Sequence, residues 1–537
     1  MGFKRRLLIQ VWKSTQVKLH GCYSADRVQN LAKYARETSW VHAIAITVAT
    51  PLPCLIVTLL TDIMPLAVPS DGIEANRLLF VREYYAFMVM TCIALHQFRK
   101  GVQVLPYPTK QVVRDSIVIS ALSVGTLYGL VLLIGFPLPF MNLLAMPVWA
   151  ALVATALAVQ WKGRIRTTPR AKQMLIGTLK LWLCEFLLMF IYPPYFYVFT
   201  AISNFSGKMA FGLLLPLLKL LMRNLFSRAV CHLGDETLSI VVFHADVFGS
   251  LNVAYCMQSS PLLWMTLAIM AIDIVFTGLS LREIDVARKE LEALERRLEA
   301  ANHMNSSGRR LTSLERVSKL IQQEREQEMP QTSLLIGVYP EPLAMYKATT
   351  IRALAVTNTQ VQQPIHAVPT AIGMKRIYPE FRQIGEPSTR LSLIYSLKLR
   401  QLLYMAEFAL LLNYVESIIP LVFSIYLVAT YHLPNRNYYP IYDNMEQHQL
   451  LETLVSVMLY CLLQLLSLVF VTVMLKRMIG HSPIQQIAFV LQHQVDWVQM
   501  CLVFWLFYNV QGSLRHLGYD YSFKFAWLSG STSTVAN

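Results

Sequence analysis

The chain has 537 residues, a mean hydropathy of +0.44 and 15% charged residues, where a soluble domain carries about 25%. Its net charge of +15 sits mostly between apolar runs, where orientation signals belong, which excludes nucleic acid as the partner that the charge serves. The eight cysteines form no CxxC pair and lie mostly inside apolar runs, which excludes a zinc site and a disulfide framework and leaves small buried packing residues.

Residues 1–39 come first. "FKRRLLIQVWK" reads as a basic amphipathic helix on an anionic inner leaflet, and the same charges serve as an orientation signal. Apolar runs of about 20 residues then recur, as a bilayer core of roughly 30 Å requires. They predict an all-α polytopic transmembrane bundle of about eleven spans. Residues 40–281 hold Trp40–Leu60, Leu78–Phe98, Ser116–Ile134, Pro137–Val159, Leu175–Phe199, Lys208–Leu225, Leu238–Tyr255 and Leu262–Leu281. Residues 401–510 hold Leu402–Tyr431, Leu450–Leu475 and Ile484–Val510, and 511–537 form a C-terminal tail. Arg82 and Glu83 cut into the second span, and Lys219 into the sixth.

Every second connection is basic. The loop after the second span carries Arg99, Lys100, Lys110 and Arg114, and the loop after the fourth carries Lys162, Arg164, Arg166, Arg170 and Lys172. The alternate connections, such as "FPLPF" at 136–140, are nearly bare. The positive-inside rule places the N-terminus and the long segment 282–400 in the cytosol. The expected location is the plasma membrane or an endomembrane. The sequon at Asn204 falls on the outer side and is the glycosylation candidate.

The segment after the eighth span has two parts. Residues 282–329 read as a cytosolic helical hairpin or coiled coil, with Ile284, Ala287, Leu291, Leu294, Leu298 and Ala301 as an apolar seam. The turn signal "NSSG" at 305–308 supplies the reversal. One continuous helix from Leu262 to Met304 is expected, because no Pro or Gly follows Gly278 before Gly308. Residues 330–400 are punctuated by prolines and read as an irregular cytosolic linker. They hold no phosphate loop, kinase signature or metal-ligand spacing.

Four stretches carry a family resemblance: "HGCYSADRVQNLAKYARETSW", "ATPLPCLIV", "FPLPF" and "VVFHADVFGSLNVAYCMQ". On these the chain resembles a large oomycete set of multi-pass membrane proteins. The resemblance covers most of the chain. It implies a shared membrane fold and carries over no functional residue. "GDETLS" after His232–Leu233 departs from the more acidic, Pro-containing stretch that the set leads one to expect.

Acidic residues inside lipid are costly and mark functional or packing contacts. Glu185 precedes Pro193 and Pro194, a pattern that predicts a broken or kinked helix beside a carboxylate, or a Glu185–Lys219 salt bridge. His244 and Asp246 are two apart, so they point to different neighbours and favour an enclosed position for the seventh span. Thr266, Asp273, Thr277 and Ser280 share one face that continues into the cytosolic seam. Glu407 and Glu416 point to opposite sides of the ninth span, with Glu407 near Lys398 or Arg400 at the interface. His493 lies three residues before Asp496, a spacing that suits a proton relay; alternatively 484–496 is an interfacial helix. Glu452 completes the set.

These residues point to a solute or ion translocator whose path is lined by Glu185, His244, Asp246, Asp273, Glu416, His493 and Asp496. The alternative is a non-transporting receptor or scaffold that recruits a cytosolic partner, or a second copy, through 282–329. No catalytic, metal or cofactor motif stands out. The partners expected are the lipid bilayer and a small solute or ion.

Overall fold

A computed structural model describes residues 21–259, 263–301, 319, 322, 387–442, 445–511 and 514–519. Among them every regular element is a helix and there is no strand. The first helices are α1 Ala25–Glu37, α2 Trp40–Ala49, α3 Leu52–Asp62, α4 Arg77–Gly101, α5 Thr109–Ile134 and α6 Met141–Trp161. Then come α7 Ala171–Ala201, α8 Phe205–Gly212, α9 Leu214–Val230, α10 Thr237–Ser259 and α11 Leu263–Ala301. The last are α12 Pro387–Tyr431, α13 Gln447–Ile479, α14 Pro483–His493 and α15 Val495–Gln511.

Eight stretches are long and apolar enough to cross a membrane, and nine when the bent pair α14–α15 counts as one span. That is the make-up of a multi-pass membrane protein. The outer surface agrees with it. Leu451, Val455, Leu462 and Leu466 of α13 are exposed along one helical face, an apolar stripe that water would not tolerate and lipid requires. The count differs from eleven for two stated reasons. The sixth expected span is divided between α8 and α9, neither long enough to qualify alone, and α11 is not among the qualifying helices.

The core is built around α10. Nearly every side chain from Leu238 to Cys256 is buried, so this helix is enclosed on all sides and has no lipid-facing stripe. It packs against α7, α9, α12, α13 and α15. The enclosed position expected from the His244/Asp246 pair is found.

Several expectations need correction. The basic stretch "FKRRLLIQVWK" lies outside the described residues, and the part of the N-terminal segment that is described, α1, packs on the bundle. Ser24 caps α1 by accepting from Arg27 N at 3.1 Å, and Arg27, Val28, Leu31 and Ala32 are buried against the bundle. The chain around Pro193 and Pro194 does not break, for α7 continues through both to Ala201. Span eleven is two helices bent by 80°. The bend is held from outside. Gln494 Nε2 donates to Asp235 O at 3.2 Å, and Trp497 Nε1 donates to Glu236 at 2.7 Å. So the "GDETLS" departure has a structural task.

The expected continuous helix is present as α11, unbroken across Leu281–Ile284. Its seam is buried at Ile284, Leu291 and Leu298. It packs along α12, where Lys398 Nζ bonds Glu290 at 2.8 Å. Residues 387–400, expected to be linker, are therefore helix continuous with the ninth span. The hairpin's second helix, 309–329, lies outside the described residues save 319 and 322, as do 330–386 and the tail beyond 519.

Candidate functional site

The strongest constellation lies where α9, α10, α11, α12 and α13 meet. Asp246 of α10 is fully buried. Arg223 of α9 grips it with Nε at 3.0 Å from each oxygen and Nη2 at 2.5 Å from Oδ1. This is the planar, two-pronged pairing that guanidinium allows and ammonium does not. One turn earlier on α9, Lys219 Nζ reaches Glu416 of α12 at 3.2 Å. It does so past Gly249 of α10, where a Cβ would stand 2.7 Å from Lys219 Cε. The third carboxylate, Asp273 of α11, accepts from Gln464 Nε2 at 2.8 Å. That amide nitrogen also lies 3.0 Å from the Tyr460 hydroxyl.

Lys219, Arg223, Asp273, Thr277 and Glu416 line one cavity of about 30 Å³, room for roughly two waters. The electrostatics follow from the roster. Two cations meet three carboxylates, counting Asp246 behind Arg223. Asp246 is matched to Arg223 and Glu416 to Lys219. Asp273 is bonded to an amide, so it is the acid whose charge depends on a shared field. A buried ion pair stripped of water is costly to break, so the first two pairs fix the walls and the third carboxylate faces the space between them.

A second polar cluster sits on the other side of α10. Gln97 of α4 donates to Glu185 of α7 at 2.8 Å and accepts from Trp182 Nε1 at 3.0 Å. Glu185 Oε1 approaches His244 Nδ1 at 3.4 Å, and Trp505 Nε1 lies 3.2 Å from the same nitrogen. Phe226 stacks on the imidazole at 5.3 Å. The adjoining cavity is about 20 Å³ and is walled mainly by methionine and aromatic side chains. This cluster joins α4, α7, α10 and α15, with room for about one water.

The expected path residues thus divide. Asp246, Asp273 and Glu416 come together. Glu185 and His244 meet on the opposite side of α10. Glu185 does not pair with Lys219. Asp496 forms its ion pair with Lys100, with His96 Nε2 at 3.9 Å. His493 stacks on Phe489 instead, and the 80° bend separates the two would-be relay members. Glu407 is buried and takes Arg27 Nη2 at 2.6 Å. Asn204 caps α8, its Oδ1 accepting from Ser206 N at 3.3 Å, which leaves the amide nitrogen of the sequon for a glycan.

Sequence reasoning missed Asp62 and read Arg82 only as an intrusion. Arg82 Nη2 donates to Asp62 at 2.9 Å and to the Tyr439 hydroxyl at 2.6 Å. Tyr426 donates to the other Asp62 oxygen at 2.6 Å. The signal was present, since a buried guanidinium in lipid needs a carboxylate and Asp62 is the acid nearest in the preceding span. Comparison with family models, curated proteins and solved structures finds no match. Among the described residues, no group of three or more His, Cys, Asp or Glu could hold a metal ion.

Proposed function

We propose that this protein translocates a small solute or ion, with the cavity between α9, α10, α11 and α12 as its site and Asp273 as the group that changes protonation. The observation that carries the reading is that cavity, walled by Lys219, Arg223, Asp273 and Glu416. Ion pairs alone are as common in locks as in paths. What favours a path is a carboxylate that faces two fixed cations across the larger of the two internal spaces, at the junction of separate helices. On this reading Lys219 and Arg223 are the fixed charges against which Asp273 loads and unloads. The basic alternate loops support an orientation with residues 282–301 in the cytosol.

One set of contacts favours the scaffold reading. Asp62–Arg82, Arg27–Glu407 and Asp246–Arg223 are matched one to one, as a static bundle would have them. The two readings part on access. Thr277 lines the cavity. A Thr277→Cys variant in proteoliposomes, treated with a membrane-impermeant thiol reagent, should be labelled above the wild-type background from either side. Labelling from neither side, in a variant that keeps the wild-type melting temperature, would favour the scaffold.

A further inference from the structure

At the basic end of the bundle, the start of α7 and the end of α9 enclose a groove that the transport reading does not use. Its volume is about 460 Å³, far larger than either internal cavity. Arg170, Lys172, Lys180 and Arg228 line it together with His232, and no carboxylate does. Among the described residues, no acidic side chain pairs with Lys172, Lys180 or Arg228. Four cations held around one concavity repel one another, and an anion is what their arrangement suits.

The groove also has an apolar side. Ile176 is part of its wall. Ile176, Leu179 and Leu183 are exposed at spacings of three and four, one helical face of α7. That stripe runs from the groove into the part of α7 that faces lipid. Lys180 lies nine residues past Ala171, roughly 14 Å along the helix at 1.5 Å each. Its long stem lets the ammonium turn back toward the basic end. His232 closes the inner wall. It fits there because residue 177 is glycine, where a Cβ would overlap the imidazole.

We infer that this groove binds the phosphate headgroup of an anionic membrane lipid, with the lipid's chains laid along Ile176, Leu179 and Leu183. The shared chemistry is a terminal phosphate, carried as a monoester in phosphatidic acid. The continuity of the cationic pocket with an apolar helical stripe selects a lipid over a free phosphate. Basic pockets between spans at the cytosolic level are suited to such headgroups. The site is separate from the Asp273 cavity, and its failure would leave the transport reading untouched.

The test uses the full chain in nanodiscs of phosphatidylcholine, with and without added phosphatidic acid. Phosphatidic acid should raise the melting temperature and be enriched in the annulus that survives delipidation. The triple variant Lys172→Gln, Lys180→Gln, Arg228→Gln should lose both effects. A control pair, Lys162→Gln and Arg166→Gln, lies on the adjoining loop outside the groove and should keep them. Should the triple variant lose its fold, Lys180→Gln alone serves, with the same loss expected in smaller degree. An equal stabilisation by inorganic phosphate in pure phosphatidylcholine would overturn the lipid assignment. So would equal losses in the control pair, which would mean a diffuse surface charge. No response to phosphatidic acid would overturn the site itself.

Discussion

Arg223 and Asp246 show most directly how single residues hold this bundle. Removing one partner leaves a buried charge uncompensated, which costs about 3–5 kcal/mol. Arg223→Leu or Asp246→Asn should therefore lower stability by that order, read by chemical denaturation in micelles. The double variant should recover a large part of the loss, because no lone charge remains. His516 reports on pH. It sits beyond α15, its Nε2 donating to Ala67 O at 2.7 Å, and burial pushes its imidazole down to about 4. Unfolded, it takes a proton near pH 6.5, roughly the free value. The unfolded state then binds the proton first, so this contribution is whole above about 6.5 and is lost as pH falls toward 4. The melting temperature should drop on acidification through that window, and His516→Gln should flatten the drop. The costly residues were legible one by one, since an acid in an apolar run stands out. Their pairing was not, because Lys219–Glu416 and Arg27–Glu407 each join helices whose adjacency no local pattern records.

Among the elements, α11 was the most legible. Its length followed from an uninterrupted run of good helix formers, and its seam from three-and-four spacing. The partner of that seam was not foreseen. Residues 387–400 lack a long apolar run, and Pro387 invited reading them as loop. Yet Tyr395, Leu399 and Leu402, all buried, repeat at four and three, and that periodicity marks a helix. The seam's burial can be tested. Leu291→Ala should cost about 2–5 kcal/mol as a buried truncation, while Val286→Ala, on the exposed face, should stay within about 0.5 kcal/mol. Equal effects at both positions would mean that α11 does not pack along α12. The 80° bend between α14 and α15 was outside the reach of periodicity. It depends on Asp235 and Glu236, some 260 residues away.

Taken whole, the molecule is a bundle wrapped around one enclosed helix, with its two polar clusters on opposite sides of α10. The cluster by Glu185 has the smaller cavity, and no lysine or arginine lines it. The cluster by Asp273 has the larger cavity, lined by two fixed cations together with Asp273 and Glu416. The central claim is that this second cluster carries translocation through Asp273. Proteoliposomes enclosing a pH dye, held under an inward proton gradient, should be challenged with a panel of amino acids, sugars, organic acids and inorganic ions. The account predicts that at least one member drives an internal pH change, that Asp273→Asn abolishes it, and that Glu185→Gln retains it. A panel with no response, or an Asp273→Asn variant that responds as the wild type does, would contradict it.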